Sequence, residues 1–185
     1  MSDGADPAAL GAPTFDEARF REVLGHFPTG VTVVTAMEEG TPVGFTCQAF
    51  TSLSLEPPLV ALAPAKTSTS WPRIARAGAF CVNVLRHDQE ALARLFAVSG
   101  GDKFVGVDWH IGQSGTPVLE GCLAVVECEL GLIHDAGDHE LVVGRVLALQ
   151  LGEGRPLVFY RGGFGTFTSA LAEAATPPGG SNAGE

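Results

Sequence analysis

The spacing of apolar residues changes several times along the chain, and each change marks an element. Thr14-Phe15-Asp16-Glu17 has the form of a capping box, and Phe20, Val23, Leu24 and Phe27 follow at i, i+3, i+4 and i+7. This predicts an amphipathic helix closed by the Gly25 to Pro28 segment. After Gly30 the β-branched run 31–36 stops at Glu38-Glu39-Gly40 and resumes over 43–46, the pattern of a hairpin with a short loop. Segments 50–55 and 59–63 read as two more strands. Glu56-Pro57-Pro58 between them cannot continue a central ladder, so their connection is expected to be a corner.

Farther on, Ser70 is placed to cap a short helix over 71–76, with Pro72 in its first turn. Segment 80–85 alternates like a strand. Asp88 then caps a helix with Ala91, Leu92, Leu95 and Phe96 on one face, followed by a glycine-rich loop over 99–109. Three long strands are predicted over 122–133, 140–151 and 156–167, and Gly162-Gly163-Phe164-Gly165 in the last reads as a bend. About seven strands joined mostly by turns, with three short helices, predict a mainly β protein: an antiparallel barrel with helices at its ends. A doubly wound α/β fold is disfavoured.

Composition narrows the function classes. The 185 residues carry 11 Lys and Arg against 21 Asp and Glu, a net charge of -10, which disfavours nucleic acid and membrane surfaces as partners. The 45% apolar content excludes a disordered chain. Segments 1–13 and 170–185 are rich in small and polar residues and read as disordered tails around one domain over 14–169. No signal peptide is expected, and no apolar stretch nears the roughly 20 residues of a membrane span. Cys47, Cys81, Cys122 and Cys128 form no C-x-x-C pair and read as reduced, buried thiols of a cytoplasmic protein, with no metal site expected.

The common nucleotide and zinc signatures are absent, and no nucleophile elbow occurs. Three segments remain. Residues 46–54 interleave hydroxyl and apolar side chains; they read either as the polar face of an ordinary strand or as a wall of donors for an acceptor-rich planar ring. Lys66-Thr67-Ser68-Thr69-Ser70 reads either as a helix cap or, with its hydroxyls and ammonium, as a phosphate seat. His139, in Gly137-Asp138-His139, is either a solvated turn residue or a catalytic one.

Seven spaced motifs, in order, bring these segments together. They are Phe27-Pro28-Thr29-Gly30 with the run to Thr35; residues 44–60 from Gly44-Phe45-Thr46-Cys47-Gln48-Ala49-Phe50-Thr51-Ser52 to Pro57-Pro58-Leu59-Val60; and Lys66, Ser68 and Ser70-Trp71. Phe80-Cys81-Val82-Asn83-Val84-Leu85, Asp102-Lys103-Phe104, Gly137-Asp138-His139 and Pro156-Leu157-Val158-Phe159-Tyr160-Arg161-Gly162 complete the set. Over residues 19–167 the chain resembles the flavin reductase family with the FMN-binding split barrel. It is most similar there to the reductase components of two-component flavin-dependent monooxygenases, of the 4-hydroxyphenylacetate and steroid-ring hydroxylase type.

The resemblance implies a homodimer that uses NADH or NADPH to reduce FMN or FAD and releases the reduced flavin to a separate oxygenase. It places Thr46, Cys47, Gln48, Ala49, Phe50 and Ser52 at the isoalloxazine edge. It adds Ala63 and Pro64 as cofactor-binding residues and places Lys66, Ser68, Thr69, Ser70 and Trp71 around the ribityl phosphate. Lys103 and Phe104 are expected to close over the phosphate or nucleotide side, with catalytic His139 beside the nicotinamide and Tyr160 and Arg161 at the same end. A split-barrel oxidase of the pyridoxamine-phosphate type and a flavin-binding redox sensor are the rival readings.

Overall fold

In chain order the elements of the computed structural model, which describes residues 14–169, are α1 (Glu17–Leu24), β1 (Thr29–Gly30), β2 (Thr32–Glu38), β3 (Thr41–Cys47), β4 (Phe50–Leu55) and β5 (Pro58–Leu62). Then come α2 (Trp71–Ala77), β6 (Ala79–Val84), α3 (Glu90–Ala97), β7 (Trp109–Ile111), β8 (Pro117–Leu119), β9 (Ala124–Ala136), β10 (His139–Leu151), β11 (Leu157–Tyr160) and β12 (Gly163–Thr166). The expectations for 1–13 and 170–185 lie outside the described residues.

Seven strands form one antiparallel sheet in the order β3-β2-β6-β9-β10-β5-β4. Val34, Val43, Val60, Phe80, Cys128 and Val142 come from six of these strands and share one buried core, so the sheet curls around its own interior. Its edge strands β3 and β4 do not pair with each other; the chain simply passes from one to the other through Gln48 and Ala49. The barrel is therefore split at that link. A second core, including Val33, Phe96, Leu119 and Leu157, lies on the other side of β2, which explains why β2 is apolar on both faces.

Buried polar groups tie the small β7–β8 hairpin to the barrel. Asn83 donates to the Val33 carbonyl and to Thr35 Oγ1, both at 3.0 Å, and accepts the Leu119 N–H at 2.8 Å. The Glu127 carboxylate is fully buried and accepts the N–H groups of Gln113 at 3.0 Å and Ser114 at 2.7 Å, together with the Ser114 hydroxyl. Burial alone would push this carboxyl up, but those donors hold it below the usual range. Gly112 is needed here, because a Cβ would stand 2.6 Å from the carboxylate.

The architecture is the antiparallel barrel with peripheral helices that the pattern predicts, with several local corrections. Asp16, not Thr14, caps α1, accepting the Arg19 N–H at 2.8 Å, and no residue of α1 is buried. Glu56-Pro57 forms a tight hairpin loop between paired β4 and β5, not a corner. The Trp71 N–H meets Ser68 Oγ at 3.1 Å, so Ser68 replaces Ser70 as the side chain at the start of α2. Asp88 is drawn away by Arg86 at 2.7 Å, which leaves Gln89 at the N-cap of α3. The buried face of α3 is Ala93 and Phe96, not Ala91 and Leu95. Segment 156–167 is not one strand but the hairpin β11–β12, turned by Arg161 (φ 49°) and Gly162 (φ 82°).

Candidate active site

At the split lies a cavity of about 470 Å³. One wall is the end of β3 and the Gln48-Ala49 link, another is the segment 63–70, and a third is the end of α3 with Lys103 behind it. Backbone bonds fix the middle wall on both sides. The Ala63 N–H donates to Ala49 O at 3.0 Å, the Lys66 N–H to Asp138 O at 2.9 Å, and the Glu140 N–H to Pro64 O at 3.0 Å. His139 is thus carried to the cavity by the turn between β9 and β10.

Lys103 supplies the cation. Its side chain is buried, and Nζ donates to the carbonyls of Phe96 at 3.1 Å and Gly44 at 3.2 Å and approaches Ser70 Oγ at 3.4 Å. The adjacent Asp102 carboxylate accepts the Phe104 N–H at 3.0 Å, and Lys103 forms no ion pair among the described residues. Burial lowers the Lys103 pKa from its ordinary value. A buried ammonium held only by neutral acceptors favours an arriving anion. Beside it the cavity is lined by Thr67, Ser68, Thr69 and Ser70, hydroxyl side chains suited to phosphoryl oxygens. The donor set therefore fits a phosphorylated cofactor such as a flavin nucleotide.

His139 Nδ1 lies 2.8 Å from Asp138 Oδ1. An ionised carboxylate can only accept, so this contact calls for the proton on Nδ1, and the bond from His139 in turn holds the Asp138 carboxyl below the usual range. Nε2 is then the imidazole nitrogen left for a ligand. Next along β10, Glu140 accepts the indole N–H of Trp71, which anchors α2 to the same strand.

The cavity brings together Thr46, Cys47, Gln48, Ala49, Ala63, Pro64, Ser68, Thr69, Ser70, Lys103 and His139 from the expected set. Within it, the Thr46 hydroxyl already donates to Ala93 O at 2.6 Å, and burial pushes the Cys47 thiol up to about 11, so it is a neutral wall group. Other expected residues lie elsewhere. Lys66 turns to Asp135 at 2.6 Å, and Trp71 is buried in the barrel core. Phe104 is buried edge-on against Phe96 and Trp109, at 5.1 and 5.7 Å between ring centroids. Ser52 is exposed on edge strand β4, while Phe50 lines a neighbouring cleft. Tyr160 and Arg161 sit at the β11–β12 turn, where Arg161 shares a separate groove with Gln48 and α1. Phe45, Ala65, Thr67 and residues 96–99 also line the cavity. Of these only Thr67 stood in a segment whose composition marked it; the end of α3 carried no signal.

Comparison with known proteins identifies the family. The flavin reductase like domain matches residues 24–168. The reductase subunit HsaB of a flavin-dependent monooxygenase from Rhodococcus jostii is 50% identical over 163 residues, covering 88% of this chain and 84% of its own. The FMN reductase (NADH) SmoA of Agrobacterium fabrum is 46% identical over 149 residues, 80% of this chain and 85% of its own. Among solved structures, nitrilotriacetate monooxygenase component B from Mycobacterium thermoresistibile superimposes with a TM-score of 0.81 at 43% identity, over 91% of this chain and 94% of its own. NADH:FAD oxidoreductase SgcE6 of Streptomyces globisporus C-1027, solved with NAD and FAD fragments, gives 0.79 at 35% identity, over 91% and 99%. The chain belongs to the flavin reductase family, and its divided sheet is that family's split barrel.

Proposed function

We propose that this protein is an NADH:flavin oxidoreductase that reduces FMN or FAD and releases the reduced flavin to a separate monooxygenase. The observation that carries the reading is the buried Lys103 ammonium, which has no carboxylate partner among the described residues, beside the hydroxyls of 67–70 and in one cavity with His139. When bound, the two cofactors supply the redox chemistry, a hydride passing from nicotinamide C4 to flavin N5. The protein's part is placement. Lys103, Ser68, Thr69 and Ser70 hold the phosphate, and the backbone and side chains of 46–49, with Ala63 and Pro64, form the wall for the ring. His139, fixed by Asp138, presents Nε2 to orient a polar edge or to steady charge developing there. Gln48, Ala49 and Ser99 are exposed, so the cavity opens to solvent and suits a flavin that leaves after each turnover.

A homodimer belongs to the same proposal. Phe20, Val23, Leu24 and Phe27 are each about half exposed or more on one face in and just after α1, an apolar surface suited to a second copy. The free thiols suit a reducing cytoplasm. NADH consumption by the purified protein tests the reading. Turnover should depend on added FMN or FAD; a flavin-binding sensor would be reduced once and stop. Sedimentation should show a dimer that Leu24→Glu dissociates.

A further inference from the structure

Next to the cavity, and sharing Gln48, Ala49 and Ala63 with it, is a second cleft of about 560 Å³. Its walls are chiefly apolar, with Phe27, Pro28, Phe50, Leu62 and Leu141 among them. Three threonines line it. The Thr32 hydroxyl donates to Cys47 O at 2.7 Å and the Thr51 hydroxyl to Ser52 O at 3.2 Å. The Thr29 hydroxyl oxygen is buried and has no hydrogen-bond partner among the described residues.

A buried hydroxyl without a partner destabilises a fold relative to a methyl of the same shape. Nothing in the local structure calls for it, because Thr29 pairs with Phe159 of β11 as backbone, in a ladder any residue with an N–H could join. Thr29 also borders two further grooves, and a Cβ on Gly30 would meet nothing within 4 Å. Thr29 therefore lines three depressions, with its hydroxyl oxygen buried behind their walls and open space beside the neighbouring Gly30.

We infer that Thr29 is a substrate-contacting residue whose hydroxyl bonds the amide-type edge of a planar ring seated in the apolar cleft. The inference rests on the reductase reading. An apolar cleft accepts a planar ring, and a lone hydroxyl, able to donate and to accept, matches a carbonyl or N–H on that ring's rim. Both substrates offer this chemistry, dihydronicotinamide in its carboxamide and flavin in its pyrimidine edge. Gln48, Ala49 and Ala63 border both the cleft and the cavity, so a ring in the cleft rests on the wall assigned above to the flavin ring, the proximity that hydride transfer calls for.

Steady-state kinetics of the full-length protein, varying NADH and flavin in turn, test this with Thr29→Val and Thr29→Ser. Thr29→Val should lower kcat/KM by about tenfold for the substrate whose ring occupies the cleft, while Thr29→Ser stays within about threefold of the parent. A loss confined to NADH assigns the contact to the carboxamide, and one confined to flavin to the pyrimidine edge. Thr29→Val should also melt no lower than the parent, which separates a ligand contact from a folding defect. An active parent that Thr29→Val leaves within about twofold for both substrates overturns the inference. So does a matching loss in both variants with a lowered melting temperature. A parent without NADH:flavin turnover overturns the reductase reading and this inference with it.

Discussion

The ammonium of Lys103 lies 3.2 Å from the carbonyl oxygen of Gly44 and 3.1 Å from that of Phe96, so one cation joins strand β3 to the end of α3. The two elements approach closely because position 44 has no side chain: a Cβ there would stand 2.8 Å from the Phe96 ring and 3.0 Å from Val34 O. Gly44→Ala should therefore displace Phe96 and loosen the seat of Lys103. The expected cost is about 1–3 kcal/mol of stability, read by denaturant melts, with weaker FMN binding in the same variant.

Lys103 and Lys66 are distinguished by where they point. Lys66 is partly exposed and paired with Asp135, an interaction worth about 0–1 kcal/mol, whereas Lys103 lines the cavity with no carboxylate partner among the described residues. Lys103→Met should lower kcat/KM for FMN on the order of tenfold or more and spare riboflavin, which lacks the phosphate. Lys66→Met should change either by about twofold at most. Equal losses in the two variants would show that both lysines reach the phosphate.

The depressed pKa of Lys103 has a signature at alkaline pH. The folded chain releases this proton before the unfolded chain does, so stability should rise as pH climbs from the folded pKa toward the ordinary lysine value of about 10.4. FMN affinity should fall over the same interval as the ammonium discharges. Lys103→Met should flatten both profiles, measured by thermal melts and by flavin titration.

Glu127 acts at the acid end. Its carboxyl is held low by donors from Gln113, Ser114 and Thr116, so the folded state binds its proton more weakly than the unfolded state. The stabilisation is present above the unfolded glutamate value of about 4.3 and is lost as pH falls through the lowered folded value. Glu127→Gln should cost about 1–3 kcal/mol at neutral pH and show a shallower acid transition.

His139→Ala should slow flavin reduction about tenfold under saturating NADH in the absence of oxygen, and Asp138→Asn should show a smaller slowing, because the imidazole loses its orienting carboxylate. An unchanged rate in His139→Ala would remove the residue from the reaction.

Local patterns were readable where one segment determines its own structure. The β-branched run of β2 and the Glu39-Gly40 turn (φ 47° and 78°) announce a hairpin because strand period and turn chemistry coincide. The β11–β12 turn was legible as a bend at the Gly162 run, but not as the reversal of a hairpin, because its first residue, Arg161, occupies a left-handed position with a side chain that gives no turn signal. The three-residue strands β7 and β8 are too short to show a period. At the site, the hydroxyl run 67–70 was legible as composition. The diversion of Lys66 to Asp135 and of Trp71 to Glu140 was not, since each partner lies 69 residues away and is brought near only by β10 pairing with its neighbours. Glu127 is a charged residue in an apolar strand, and only the loop folded over it explains its burial.

The most direct measurement is rapid anaerobic mixing of the purified protein with NADH and FMN or FAD, following the loss of the flavin's visible absorbance. The expected result is fast bleaching that needs the protein, NADH and flavin together, with the FMN reaction weakened by Lys103→Met and the riboflavin reaction unaffected. Flavin that stays oxidised, or bleaching at the rate of NADH and flavin without protein, would contradict a reductase built on this cavity.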